Sequence, residues 1–407
     1  MLMIDRSFTT VGTKNKIITI GLTILLMIPT ITFAKNDKYI EKIPSKRINV
    51  MVKEIPSALQ RQKVNAYEFT YPDAVRGIYV NGHVAGTTKW NSLIDLVKNT
   101  DLNAMVIDYK EDNGNLTFQS KDSAYRNIGK SYIENMESLL EQMEKEKIYP
   151  IARIVVFKDS VLAKQKPECS FKDGDKVWTN NNGEAFVNPF VKEVWDYNVS
   201  IAIEAAKMGF QEIQFDYVRF PEGFENKADY LSYSKGEYEG LAMNDGEARV
   251  QAVTDFVHYA KEKLRPYGVK VSVDIFGYTA TLKEAPGIGQ NFTKISEQVD
   301  VISSMIYPSH WTSYFGIDKP DLHPYELVSE YMKVEKQKIQ ELENAPISRP
   351  WLQDFTGTWL GKGNYQVYKK DQIEAQIQAL NDQGIKEFLL WNAGNNYTKD
   401  VDYTPNK

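Results

Sequence analysis

From residue 74 onward, short apolar runs alternate with longer amphipathic stretches. Eight runs have the length and the β-branched or aromatic content of strands: 76–80, 104–108, 151–157, 212–216, 270–274, 301–306, 349–353 and 387–391. Six segments between them repeat apolar residues every three to four positions: 90–98, 133–147, 191–208, 247–264, 325–342 and 370–383. That spacing predicts helices with one buried face. Gly209 and Gly384 follow two of these segments, where a helix C-terminus favours glycine. Strands alternating with helices over 74–407 fit a single (β/α)8 TIM barrel. An open doubly wound sheet is disfavoured, because no glycine-rich phosphate turn follows the first strand. Gly287-Ile288-Gly289 is only a weak match to a dinucleotide fingerprint.

The first 34 residues follow a different pattern. Lys14 and Lys16 precede an apolar run, 17–31, and Thr32-Phe33-Ala34 supplies small residues after it. This predicts a cleaved signal peptide over 1–34. The run is short for a membrane span, so the expectation is export to the cell envelope or medium, with no span in the mature chain. Residues 35–73 are polar and weakly periodic, and read as a linker or pro-segment.

Composition narrows the chemistry. A hydrophobic content of 42% with 25% charged residues belongs to a folded chain rather than a disordered one. A net charge of −5 offers no basic surface for nucleic acid. The lone cysteine, Cys169, cannot form an internal disulfide and has no CxxC partner. The four histidines lack metal-ligand spacing, so neither a metal nor a cofactor is expected.

Polar and aromatic residues gather where the predicted strands end, and in a parallel barrel those ends carry the active site. The fourth strand ends in Asp216, followed by Arg219 and Pro221, and the fifth ends in Asp274. Two-residue alternation places Gln214 and Asp216 on one face. Neighbouring strands then bring Asp216 and Asp274 together, as the paired carboxylates of glycoside hydrolysis require. Asp216 is the first candidate, as nucleophile or base; the plainer reading makes it a loop cap or a partner of Arg219. Asp274 is the candidate general acid, with Phe276 and Tyr278 available to raise its pKa. Glu222, Asp108 and Asp354 compete for that role. Candidate substrate-binding residues are Asp108, Lys110, Gln214, Arg219, Tyr307, His310, Trp351, Asp354, Trp391 and Asn392. Carboxylates and amides there suit sugar hydroxyls, and flat rings suit pyranose faces.

Several stretches carry a resemblance. They are Val106-Ile107-Asp108-Tyr109-Lys110-Glu111-Asp112-Asn113-Gly114, then Ile151 through Asp159, Asn188-Pro189-Phe190 and Trp195-Asp196-Tyr197-Asn198. Ile213 through Pro221, Phe276-Gly277-Tyr278-Thr279, Gly287-Ile288-Gly289-Gln290, Tyr307-Pro308-Ser309-His310 and Leu390-Trp391-Asn392-Ala393 complete the set. In this order they resemble a family of secreted bacterial glycoside-hydrolase-like proteins with a TIM-barrel catalytic domain. The resemblance implies the barrel, glycosidase activity and a polysaccharide or oligosaccharide substrate. The competing expectation is a non-catalytic carbohydrate-binding or cell-envelope protein on the same scaffold, since a fold does not fix a function.

Overall fold

The computed structural model describes residues 67–405. The expected signal peptide, 1–34, and the polar segment up to residue 66 lie outside the described residues. Eight parallel strands surround one axis: β1 (Arg76–Val80), β2 (Ala104–Lys110), β3 (Tyr149–Val155), β4 (Glu212–Asp216), β5 (Lys270–Phe276), β6 (Val301–Met305), β7 (Trp351–Gln353) and β8 (Phe388–Trp391). β1 pairs with both β2 and β8, which closes the sheet into a barrel. Parallel neighbours require crossovers, and helices supply them. These are α1 (Lys89–Lys98), α2 (Met136–Lys145), α3 (Lys192–Met208), α4 (Asp245–Leu264), α5 (Phe292–Ser296), α6 (Pro324–Gln340) and α7 (Lys370–Asp382). The architecture is the expected (β/α)8 barrel. Among the described residues no helix is long and apolar enough to cross a membrane.

Local chemistry explains where the elements depart from the sequence pattern. α2 starts at Met136 rather than near 133, because the Asn135 side chain caps it by accepting from the Ser138 N–H. The residues before it, Gly129–Ile133, form a short strand beside Leu116–Phe118 instead. The seventh strand is broken: Ile347–Ser348 pairs with β6, and β7 resumes only at Trp351. Pro350 lies in the gap and has no N–H for the ladder. α5 spans only 5 residues, too few to show a helical period. Between β3 and α3 the chain makes a long excursion. It holds the helix Ser160–Gln165 and a small hairpin of Lys172–Asp173 and Lys176–Val177.

The barrel interior is layered. At its N-terminal end the buried Arg349 reaches Glu212 at 2.7 Å and Glu387 at 2.8 Å. The Tyr71 hydroxyl accepts from the same guanidinium at 2.9 Å. Buried charges persist only when paired and hydrogen-bonded in this way. Above them Val106, Ile151 and Leu389 pack with Tyr79, Tyr307 and Trp351. The opposite strand faces, among them Ile107, Phe215 and Val273, join the larger core shared with the helices. The C-terminal end of the barrel is acidic, and the cleft opens there.

Candidate active site

Arg153 organises the cleft floor. It lies in mid-β3, paired in register with Asp108 on β2 and Gln214 on β4, and it is only 1% exposed. Its guanidinium donates to three carboxylates. Nη1 reaches Asp108 Oδ1 at 2.7 Å, Nη2 reaches Asp112 Oδ1 at 2.9 Å, and Nε and Nη2 reach Asp216 Oδ2 at 3.0 and 2.7 Å. Only a planar fork of five donors satisfies three acids at once. The flat face of the group also lies 5.5 Å from the centre of the Trp391 ring.

The second oxygen of Asp216 is held as well. The Tyr217 N–H donates to Asp216 Oδ1 at 2.6 Å. Tyr217 achieves this with φ at +52°, in the left-handed region that a bulky residue enters only under constraint. The turn carries the chain away, so Arg219 does not pair with Asp216. Arg219 instead reaches Glu222 at 3.1 Å and lies over the Phe276 ring at 4.5 Å.

Asp274 has the opposite surroundings. It is 2% exposed, and the Trp351 indole N–H donates to its Oδ1 at 2.8 Å. Burial pushes its carboxyl well above the ordinary range, and the negative charge of Asp216 adds to the push. Asp108 receives a 2.6 Å hydrogen bond from the Tyr79 hydroxyl. Burial outweighs the attraction of Arg153 and pushes Asp108 up to about 6. Asp112 also feels burial, but Arg153 and Lys158 override it and hold this acid below its ordinary value. The barrel mouth therefore holds carboxyl groups whose environments drive their pKa values apart, as a division between acid and base demands.

These groups border a cavity of about 310 Å³. Of the residues expected from sequence, Asp216, Asp274, Arg219, Tyr307, His310, Trp351 and Trp391 line it. Trp391 stacks on Tyr79 at 4.0 Å and meets Trp351 edge-on at 5.5 Å. Burial lowers the His310 imidazole below its ordinary 6.5. Glu222, a rival for general acid, also lines the cavity, but its side chain is 70% exposed and pairs with Arg219. Asp108, expected both as a rival acid and as a binding residue, is bonded to Arg153 and Tyr79 and does not line the cavity.

Four expected binding residues point elsewhere. The ladder shifts register between Asp108 and Lys110. Such a bulge re-aims the side chains beyond it, and Lys110 turns outward to a fully buried pair with Asp159 at 2.7 Å. Gln214 faces the interior and donates to Ser303 Oγ at 3.3 Å. Asp354 caps the loop after β8, accepting from the N–H and hydroxyl of Thr398. Asn392 orders the same loop by donating to the Asp354 and Asn396 carbonyls.

Sequence reasoning missed Arg153, although a signal was present. Arg153 is a lone charge in the apolar run Ile151-Ala152-Arg153-Ile154-Val155, and a charge at such a position demands acidic partners. It also missed Trp359, 61% exposed. That indole meets His310 edge-on at 5.7 Å and stacks with Phe355 at 6.0 Å. Among the described residues no group of three or more His, Cys, Asp or Glu side chains is arranged to hold a metal.

A closed parallel barrel with buried acids at its C-terminal mouth defines the class, a TIM-barrel protein with an acid-lined cleft. Residues 77–397 match the family described as "Putative glycosyl hydrolase domain", and the chain belongs to that family. No curated protein matches the chain. Among solved structures it is similar to the glycoside hydrolase domain of PgaB (BpsB) from Bordetella bronchiseptica. That likeness has 11% identity and a TM-score of 0.56, and covers 79% of this chain and 94% of that one. A beta-galactosidase from Marinomonas ef1 is similar at 10% identity and a TM-score of 0.54, over 78% of this chain and 54% of that one. At these identities the likeness is one of fold. A hypothetical protein from Ruminiclostridium thermocellum ATCC 27405 is 33% identical, over 48% of this chain and 96% of that one, with a TM-score of 0.42.

Proposed function

We propose that the protein is an exported glycoside hydrolase that cleaves a polysaccharide with Asp274 as general acid and Asp216 as its anionic partner. The observation that carries this reading is the contrast between the two carboxyls. Asp274 is buried against Trp351 and driven toward its neutral form, while Asp216 receives donors on both oxygens from Arg153 and Tyr217. Asp274 gives its proton to the glycosidic oxygen as the C–O bond breaks, and the leaving sugar departs as an alcohol. Asp216 either bonds the anomeric carbon itself, to be displaced later by water, or takes a proton from the water whose oxygen attacks that carbon. One water is consumed, and each acid returns to its starting state. Trp391, Tyr307 and His310 offer faces and edges to the sugar ring, and the exposed Trp359 continues that wall outward. The export reading rests on the N-terminal pattern of the sequence.

The test is a screen of envelope, matrix and plant polysaccharides for release of reducing ends. On any substrate that the native chain cleaves, Asp274→Asn and Asp216→Asn are each expected to lower kcat by roughly 10²–10⁴-fold, the usual worth of acid–base groups. Circular dichroism checks that both variants fold. Full activity in both variants overturns the assignment. Saturable glycan binding with no reducing ends from any polymer favours the binding-protein reading instead.

A further inference from the structure

A second cavity, of about 560 Å³, adjoins the cleft and shares Tyr217, Arg219 and Glu222 with it. Its far wall is the tip of the β3–α3 excursion, and its near wall is the loop after β4. Tyr217 on the near wall holds Asp216, whereas the far wall has no part in the chemistry proposed above.

The excursion tip is a tight, prebuilt turn. Asn180 Oδ1 accepts from the N–H groups of Asn182 and Glu184 at 3.0 Å each. This leaves Asn181 and Asn182 exposed along the cavity edge. A chain of charges ties the tip to the cleft floor: Glu184 to Lys158 at 2.7 Å, Lys158 to Asp112 at 3.5 Å, and Asp112 to Arg153 at 2.9 Å. Lys158 also lies over the Tyr217 ring at 4.7 Å. The wall is thus anchored to the same arginine that holds Asp216. On the opposite side Lys227 donates to the Gly223 carbonyl at 3.1 Å, and Tyr230 stands 57% exposed.

The composition of this cavity selects its ligand. Lys158 is paired with Glu184 and Arg219 with Glu222, and Lys227 on the Gly223 carbonyl is the remaining cation of the lining, so the walls offer mainly hydrogen bonds and ring faces with a small positive charge. Amides and an exposed phenol ring beside a glycosidase cleft suit uncharged pyranose units. Fixed walls spare the cost of ordering loops on binding.

The geometry points to a chain-extension site: this groove holds neutral sugar units of the same polymer whose bond lies over Asp216 and Asp274, so that ligand affinity grows with chain length. The inference rests on the glycosidase reading of the cleft. It makes Asn181, Asn182 and Tyr230 length-specificity residues and not catalytic ones.

The test titrates the full chain carrying Asp274→Asn, in which turnover is expected to be slowed by roughly 10²–10⁴-fold. The probes are cello-, chito- and β-galacto-oligosaccharides from disaccharide to hexasaccharide, followed by calorimetry. In one series affinity is expected to rise at least about tenfold with length, a gain of about 1.4 kcal/mol. Adding Asn181→Ala and Asn182→Ala, or Tyr230→Ala, is expected to abolish that rise. All three positions are exposed, where substitution rarely disturbs folding. Affinity independent of length, a rise that survives these substitutions, or no binding of any series at millimolar concentration overturns the inference. Its failure is separable from that of the hydrolase reading. Length-dependent binding by a chain whose native form releases no reducing ends sinks the enzyme and keeps the groove, and hydrolysis with flat affinities does the reverse.

Discussion

Arg153 decides the electrostatics of the barrel mouth at the level of single residues. It gathers Asp108, Asp112 and Asp216 around one buried cation. Removing it takes the shared cation from three acids and leaves Asp108 with the Tyr79 hydroxyl, Asp216 with the Tyr217 N–H and Asp112 with the longer Lys158 pair. Arg153→Met is expected to lower stability by about 3–5 kcal/mol, as when one partner of a buried pair is lost, and to abolish activity. Chemical denaturation and reducing-end assays check the two effects. Asp108 gives a pH signature. Its pKa stands at about 6 in the fold against an ordinary 3.8. Between these values the native state binds the extra proton, so this residue makes stability fall as pH rises through the window, by roughly 3 kcal/mol in all. Below 3.8 both states are protonated, and the contribution is fully present. Asp108→Asn is expected to flatten that slope in denaturation curves recorded from pH 4 to 7. Asp216 and Asp274 were legible in the sequence as candidates because they lie at or near strand exits, Asp216 closing β4 and Asp274 two residues before the end of β5. Arg153 was not, because attention to strand exits passes over a charge in mid-strand.

Periodicity revealed the elements of the fold wherever they were long and regular, and failed where one residue changes the geometry. The bulge at Asp108–Lys110 leaves no mark on a hydrophobic pattern, yet it moves Lys110 from the expected cleft to the layer beneath α3. There Lys110 also donates to the Val155 carbonyl and to Asn198 on α3. Gly114 protects that arrangement. Its φ is +100°, and a Cβ at this position would lie 1.9 Å from Asp159 Oδ1. Gly114→Ala therefore displaces the carboxylate that neutralises Lys110, and is expected to cost about 3–5 kcal/mol. A lowered urea midpoint with an unchanged slope would register this as lost stability alone. The short α5 and the excursion between β3 and α3 were equally hidden, the first by its length and the second because turns and ion pairs build it rather than an apolar face.

For the whole molecule, the barrel separates stability from chemistry along its axis. Arg349, Glu212 and Glu387 tie the strands together at the N-terminal end, an apolar layer fills the middle, and the acids stand at the C-terminal mouth. The order of strands, and the rim on which the candidate acids stand, were readable from the sequence. The way neighbouring strands set one acid against another was not, because it depends on register and on residues that meet only when the barrel closes. The central claim is that closure keeps Asp274 protonated beside an anionic Asp216. Carboxyl-carbon NMR titration of selectively labelled protein, native and Asp216→Asn, measures this without a substrate. The account predicts that Asp274 remains protonated far above the ordinary 3.8 in the native chain, and that its titration moves to lower pH when the neighbouring charge is removed. An Asp274 carboxyl that titrates in the ordinary aspartate range, or that does not respond to Asp216→Asn, would contradict it.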